Sequence, residues 1–407
     1  MRAPAWVLEP LRRPAAARAA DRIAFTARPQ PGARDHVLIA PPGRGNIGDQ
    51  ALVEAFVESV DGTVSVVARS HEDFVVPDHL AGRMTVVALP ALVYGTAVGR
   101  ARDLRRLAGV LATARSFSVI GADVMDGAYV ERASVSRSLL ARRAAEQGFD
   151  SRVVGFSWNA APSAGARAAL VDASAAGVAL YLRDPRSAER ARSDGLAVRD
   201  SADIVFAAAS RDDAAPGRWV PALGGTEPLA LVNGSGLVGA DVAAYGETVA
   251  MIRGRGYRVA IVPHVSRHGA DDLPLCRAIA DEFAHDEGVA LIPRLLSPRE
   301  IRGLGARADI VVTGRMHLAV MSLMAGTPAV TVATQGKVEG LMSLFGVSEL
   351  CVQPGEGFER RLRLTVAATL DRLPGLRSTI SARLPGVTGL AWANVEGLHA
   401  RVTEGAR

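Results

Sequence analysis

Two arginines, one histidine and one lysine stand where this chain could handle a small anion. The lysine is the only one present: 47 basic residues less 46 arginines leave Lys337. A compact ammonium acts as a point charge, whereas a guanidinium is a flat fork. It follows Gly314-Arg315-Met316-His317 by some twenty residues. Paired hydrogen bonds from arginine fit a planar carboxylate, and histidine can hold or yield a proton near neutrality. Arg315 and His317 are expected in the first turn of a helix, whose free N–H groups favour an anion. A ligand with a carboxylate, a phosphate and a proton-transfer step suits this set. Plainer readings also fit: His317 as a helix cap, Arg315 paired with Asp309, and His264 as a satisfied histidine at a strand end.

Other polar residues fall at the ends of apolar runs. In the second half these are Asn233 and Ser235, then His264, then Arg315 and His317, then Gln335 and Lys337. The first half opens with Gly43-Arg44-Gly45-Asn46-Ile47-Gly48-Asp49, which satisfies G-x-G-x-x-G between a strand and a helix. The acidic residue of a dinucleotide site is missing, since the next run ends in Ala68-Arg69-Ser70, which would suit only a 2′-phosphate. Glycines there also allow a backbone to approach a sugar or phosphate, or simply tighten a turn. Asn46 and Asp49 are therefore candidate substrate contacts. Further strand-end positions hold Asp123 and Asp126, Ser157 to Asn159, and Arg183-Asp184, with Asp203 following.

Short β-branched runs alternate with Ala/Leu/Arg-rich helical stretches, which predicts parallel sheets covered on both faces. Strands are expected near 36–40, 63–68, 84–89, 117–121, 152–157 and 178–182, and the clearest helices over 49–60, 100–114 and 132–148. Strands recur near 229–233, 257–262, 289–292, 309–313 and 328–333. Ser297-Pro298-Arg299-Glu300 reads as a capping box opening a helix. The fold class is α/β: two Rossmann-like, doubly wound domains with a central cleft. The expected division is a flexible Ala/Pro/Arg-rich leader over 1–35, domains over 36–210 and 229–375 joined by a linker over 211–228, and a helical segment over 376–407. In such sheets, ligands sit beyond the carboxyl ends of the strands.

The 407 residues carry a net charge of +5. Seven arginines against three acids in residues 1–35 supply +4 of it, so the body is nearly neutral and nucleic-acid binding is not expected. Two cysteines, Cys276 and Cys351, provide neither a disulfide framework nor metal-ligand spacing. A cytoplasmic setting and no metal are expected. No signal peptide or membrane span is expected, and the apolar stretch Ile310–Ala333 reads as strand-helix-strand. Trp6, Val7, Leu8 and Leu11 beside Arg12 and Arg13 are compatible with weak contact at an anionic membrane surface.

Taken in order, Gly45-Asn46-Ile47-Gly48-Asp49, Gly121-Ala122-Asp123, Arg183-Asp184-Pro185-Arg186-Ser187, Ala202-Asp203 and Val262-Pro263-His264 form a series. Ser297-Pro298-Arg299-Glu300, Gly314-Arg315-Met316-His317, Gly326-Thr327-Pro328 and Lys337-Val338-Glu339-Gly340-Leu341-Met342 complete it. Together these resemble the polysaccharide pyruvyl transferase family over roughly residues 36–350. The resemblance implies a GT-B-like fold and transfer of the pyruvyl group of phosphoenolpyruvate onto two hydroxyls of a sugar. A cyclic ketal forms and phosphate leaves. The acceptor would be a sugar or a lipid-linked saccharide of a cell-surface glycan or exopolysaccharide, and no cofactor is needed. Arg183 and Arg315 would clamp the donor, His317 would act as general acid and Lys337 would face the phosphate. Asp49, Asp123 and Asp203 are candidate bases. Many members carry a second glycine where Ala122 stands. Competing readings are a nucleotide-sugar-dependent glycosyltransferase, an NADP-dependent oxidoreductase using Arg69, and a non-catalytic glycan-binding relative. The sequence leaves acceptor and oligomeric state open.

Overall fold

A computed structural model describes residues 25–220, 227–236, 242–267, 269–333 and 336–399. Trp6, Val7, Leu8, Leu11 and Gln335 lie outside the described residues, as does much of the expected leader. Of that leader, Phe25 is buried, its ring 6.3 Å from that of Phe117.

Seven strands form the first sheet: β1 (Asp35–Ile39), β2 (Val64–Ala68), β3 (Met84–Ala88), β4 (Ala114–Ala122), β5 (Asp150–Phe156), β6 (Ala179–Leu182) and β7 (Arg199–Asp200). The second sheet has β8 (Leu229–Asn233), β9 (Arg258–Ile261), β10 (Val289–Leu291), β11 (Ile310–Thr313), β12 (Ala329–Val332) and β13 (Cys351–Val352). Their orders are β3-β2-β1-β4-β5-β6-β7 and β10-β9-β8-β11-β12-β13, and neighbouring strands run parallel. Helices cover both faces, as near-continuous apolar strands require. Side-chain alternation splits the first sheet's core. Val37 and Ile39 pack with Phe117 and Leu180 on one face. Leu38 and Ala40 join a core that continues through Ile204 and Phe206 to the second sheet. Ring centroids of Phe206 and Phe345 lie 5.6 Å apart across the two halves.

The strand and helix expectations agree with these elements to within a few residues. The edge strands β7 and β13, two residues each, carry too little alternation to be read. Within the expected linker lies a short helix, Ala215–Trp219. The last long helix, Leu373–Ala393, sends the chain back to the first sheet, where Asn394 Oδ1 accepts from Gly155 N at 2.9 Å. No helix among the described residues is long and apolar enough to cross a membrane.

Candidate active site

Switch points between β1 and β4, and between β8 and β11, face each other. Between them lies a cavity of about 250 Å³ whose lining includes Asn46, Asp49, Asp123, Arg183, His264, Arg315, His317 and Lys337. Three kinds of local structure bring them together.

The first is the glycine-rich loop. Asn46 is the N-cap of helix Ile47–Ser59, its Oδ1 accepting from Gly48 N at 3.0 Å. A Cβ on Gly43 would meet Asp73 O at 2.6 Å, and one on Gly45 would meet Ser266 O at 2.0 Å. A Cβ on Gly48 would lie 2.4 Å from Nδ1 of His317. Protein atoms thus occupy the space that these glycines open, and no pyrophosphate cradle is left. The loop docks instead on the second domain: Ser266 N donates to Gly45 O at 2.7 Å and Ile47 N to His264 O at 3.2 Å. Arg69, the residue offered for a 2′-phosphate, lies near Asp73 at 3.7 Å. Asp49 is buried and accepts from Gly43 N at 3.1 Å. Burial pushes its carboxyl up to about 6, against the pull of Arg267.

Asp203 organises the second group. It caps the turn Ile204–Ala207, with Oδ1 accepting from Val205 N at 3.1 Å. Its Oδ2 accepts from Arg183 Nη1 at 3.0 Å and lies 3.3 Å from His317 Nε2, which is not aligned as a hydrogen bond. Arg183 Nε also donates to Ser157 Oγ at 2.8 Å. Although burial opposes ionisation, the His317 and Arg183 charges bring the Asp203 carboxyl down to about 2. An arginine of the first domain and a histidine of the second thus converge on one oxygen.

Third is Asp272, which escaped the sequence reading. It is fully buried at the start of helix Leu273–Asp281 and accepts from His264 N at 3.1 Å and Val265 N at 3.0 Å. Arg315 grips it through Nε at 3.1 Å and Nη2 at 2.5 Å. Asp309, offered as the partner of Arg315, instead accepts from Leu229 N and Arg377. Arg315 is the N-cap residue of helix Met316–Leu323, with His317 in its first turn.

Asn233 and Ser235 do not line the cavity. Asn233 donates to Val262 O and Asp272 Oδ2 and accepts from Thr313, so it is turned inward to prop Asp272. His264 is buried, with no partner for either ring nitrogen among the described residues. Burial, then the charges of His317 and Arg315, hold it well below the ordinary histidine value, so it is neutral. Lys337, first residue of helix Lys337–Phe345, reaches across to Asp123 at 2.6 Å. Burial opposes the Asp123 charge, but Lys337 and then Arg183 hold it well below the usual range. Gly340, one turn on, allows this helix against Asp184: a Cβ would lie 2.3 Å from Asp184 Oδ1. Ala122, beside Asp123, adopts φ 44°, the left-handed region that favours glycine. The sequence reading also missed Tyr94, Tyr129, Arg137 and Arg267 in the cavity wall. Glu54, Glu58 and His79, whose ligand atoms could share a metal ion, do not line it.

The paired Rossmann-like domains facing a cleft define a GT-B-like fold. Solved structures of similar shape include sucrose-phosphate synthase from Thermosynechococcus elongatus, with TM-score 0.56, 14% identity, and 90% of this chain and 96% of that one covered. UDP-GlcNAc 2-epimerase from Neisseria meningitidis gives TM-score 0.58 at 12% identity, over 89% and 99%. A glycosyltransferase from Rickettsia africae gives 0.52 at 8%, over 90% and 100%. At such identities the likeness concerns the fold. Residues 151–336 match the profile of the family described as Polysaccharide pyruvyl transferase, and over that segment the resemblance to this family holds. The matched span contains Arg183, Asp203, His264, Arg315 and His317 and ends one residue before Lys337.

Proposed function

We propose that this transferase moves the pyruvyl group of phosphoenolpyruvate onto two hydroxyls of a sugar in a cell-surface glycan or exopolysaccharide precursor. The observation that carries this reading is the convergence of Arg183 and His317 on Asp203 beside Arg315 and Lys337. Four cationic or proton-bearing groups around a cavity of about 250 Å³ suit a small, multiply negative donor.

In the reaction proposed, Arg183 and Arg315 bind the donor's anionic groups, each already oriented by its own carboxylate partner. The His317 imidazole, with Nε2 facing the Asp203 carboxylate at 3.3 Å, is the group that exchanges a proton. From there the proton passes to the donor's methylene carbon, leaving cationic character on the central carbon. One sugar hydroxyl adds to that carbon and gives up its proton. The C–O bond to phosphate breaks, with Lys337 facing the charge that develops, and the second hydroxyl closes the ketal. Two hydroxyl protons are released. One replaces the proton that His317 gave to the new methyl group, and the other leaves on phosphate. Asp49 suits the role of base, because its raised carboxyl can accept and return a proton near neutrality. Asp123 and Asp203 are committed to Lys337, Arg183 and His317.

The test is phosphate release from phosphoenolpyruvate with and without a sugar panel, beside thermal shifts with phosphoenolpyruvate and with nucleoside diphosphate sugars. Sugar-dependent release that is lost in His317→Ala supports the reading. A shift with nucleotide sugars and none with phosphoenolpyruvate rejects it in favour of glycosyl transfer. Sugar binding without turnover would indicate a glycan-binding relative.

A further inference from the structure

The donor chemistry leaves one buried cation of the cavity wall unused. Arg137, on helix Glu131–Glu146, is only 1% exposed. Its Nη2 lies 3.0 Å from the Tyr94 hydroxyl, and its guanidinium stands 5.5 Å from the centre of that ring. Nε and Nη1 are buried with no hydrogen-bond partner, and no carboxylate of the described residues forms an ion pair with this side chain. A guanidinium keeps its charge throughout the accessible pH range, and an unpaired charge away from water is strongly unfavourable. Such a residue has a use only if something negative arrives.

The shape of the wall says what kind of group that is. Pro42, Tyr94 and Arg137 border both the main cavity and a side recess of about 20 Å³, which also reaches Arg69. This recess has room for a water-sized group and none for a sugar ring. Arg69 flanks the same tyrosine, its guanidinium 5.7 Å from the ring centre. A ligand whose body fills the main cavity can therefore project one oxyanion into the recess that Tyr94 and Arg137 border. With Arg183, Arg315 and Lys337 placed around the donor in the reading above, the oxyanion at this separate recess is assigned to the other substrate.

We propose that Arg137 and Tyr94 form a second oxyanion subsite, and that the acceptor is an acidic sugar bearing a phosphate or a carboxylate. This rests on the reading that the cavity holds a sugar acceptor, and it specifies the class of that sugar.

The experiment is isothermal titration of the full chain with inorganic phosphate, acetate and phosphoenolpyruvate, on wild type, Arg137→Met and Arg137→Lys, with melting curves of each. Wild type is expected to bind two equivalents of phosphate, and Arg137→Met one. Phosphoenolpyruvate affinity in Arg137→Met should stay within threefold of wild type. Arg137→Met without ligand should melt no lower than wild type, because it removes an unpaired buried charge. Arg137→Lys keeps the charge but loses the fork, so it should bind the second phosphate at least tenfold more weakly, which tests the subsite even if Arg137→Met does not fold. Competition by acetate for the second equivalent assigns a carboxylate acceptor, and its absence assigns a phosphate-bearing one. Two phosphate equivalents in Arg137→Met, a single wild-type equivalent that persists in Arg137→Met, or a parallel loss of phosphoenolpyruvate binding would overturn the proposal. If wild type takes no phosphoenolpyruvate yet shows a phosphate equivalent that depends on Arg137, the donor reading fails and the subsite stands.

Discussion

Gly48 of the first domain abuts the imidazole of His317 in the second, so closely that a methyl group at Gly48 would come within 2.4 Å of Nδ1. The contact makes a glycine of one lobe part of the positioning of a histidine on the other. Gly48→Ala should displace that ring by a few tenths of an ångström or more. Small misplacements of reacting groups can lower turnover by about 100-fold. We expect a loss of that order in kcat for phosphate release, with phosphoenolpyruvate affinity within a few-fold of wild type. Wild-type turnover in the variant would remove this contact from the mechanism.

Asp203→Asn keeps the size of the side chain and removes the charge that Arg183 and His317 share. Stripping one partner from a buried charged cluster typically costs about 3–5 kcal/mol, and kcat should fall by at least 100-fold, order of magnitude. The carboxyl lies at about 2, below its ordinary 3.8. Its contribution is therefore complete above 3.8 and lost as pH falls towards 2, worth about 2 kcal/mol. Chemical unfolding at pH 2, 4 and 7 should show this acid-side loss in wild type and a smaller one in Asp203→Asn. Equal losses in both proteins would refute it.

Asp49 has the opposite sign. Its carboxyl stands at about 6, so the folded protein favours the neutral form. Stability is lost as pH rises from 3.8 through 6, by about 3 kcal/mol. Asp49→Asn should therefore be more stable than wild type at pH 7.5 and no more stable at pH 4. If Asp49 is the base, wild-type turnover should rise through pH 6, while the asparagine variant stays low and flat. A stable Asp49→Asn enzyme with the wild-type pH profile would leave only the stability role.

Lys337 meets Asp123 across the cleft at 2.6 Å. Arginine at this position would keep the charge but present a fork where the site accommodates a point. Phosphate release should fall about 10-fold in Lys337→Arg and about 100-fold or more in Lys337→Met, on the scale of a lost charge at a developing anion. Comparable activity in all three proteins would make Lys337 a tie between domains and nothing more.

Much of the scaffold was legible because buried parallel strands leave a strong mark. The run Leu229–Asn233 was read with the boundaries it has, and the capping box of Ser297 and Glu300 is formed as expected. Side-chain direction was harder. Asn233 occupies a strand end like the cavity residues, but position alone does not say whether an amide turns to the cleft or to a neighbouring carboxylate. Asp272 was invisible because its partner Arg315 is 43 residues away in the chain, and no local pattern records that contact. Arg137 looked like one more arginine on an arginine-rich helix. Only its lack of an ion-pair partner among the described residues gives it meaning. The glycine motif misled towards a nucleotide because spacing records that something approaches the backbone, without recording what.

One contact near the far end of the chain bears on how the protein is made. Asn394 donates to the carbonyl oxygen of Ala202, immediately before Asp203, and accepts from Gly155 in the middle of the first sheet. Domains usually fold as they leave the ribosome, the earlier one first. Here the earlier one is left without its final brace until some two hundred further amino acids have been joined. Replacing that asparagine would therefore unsettle the loop beneath Asp203 from a distance, while sparing every group that lines the cavity.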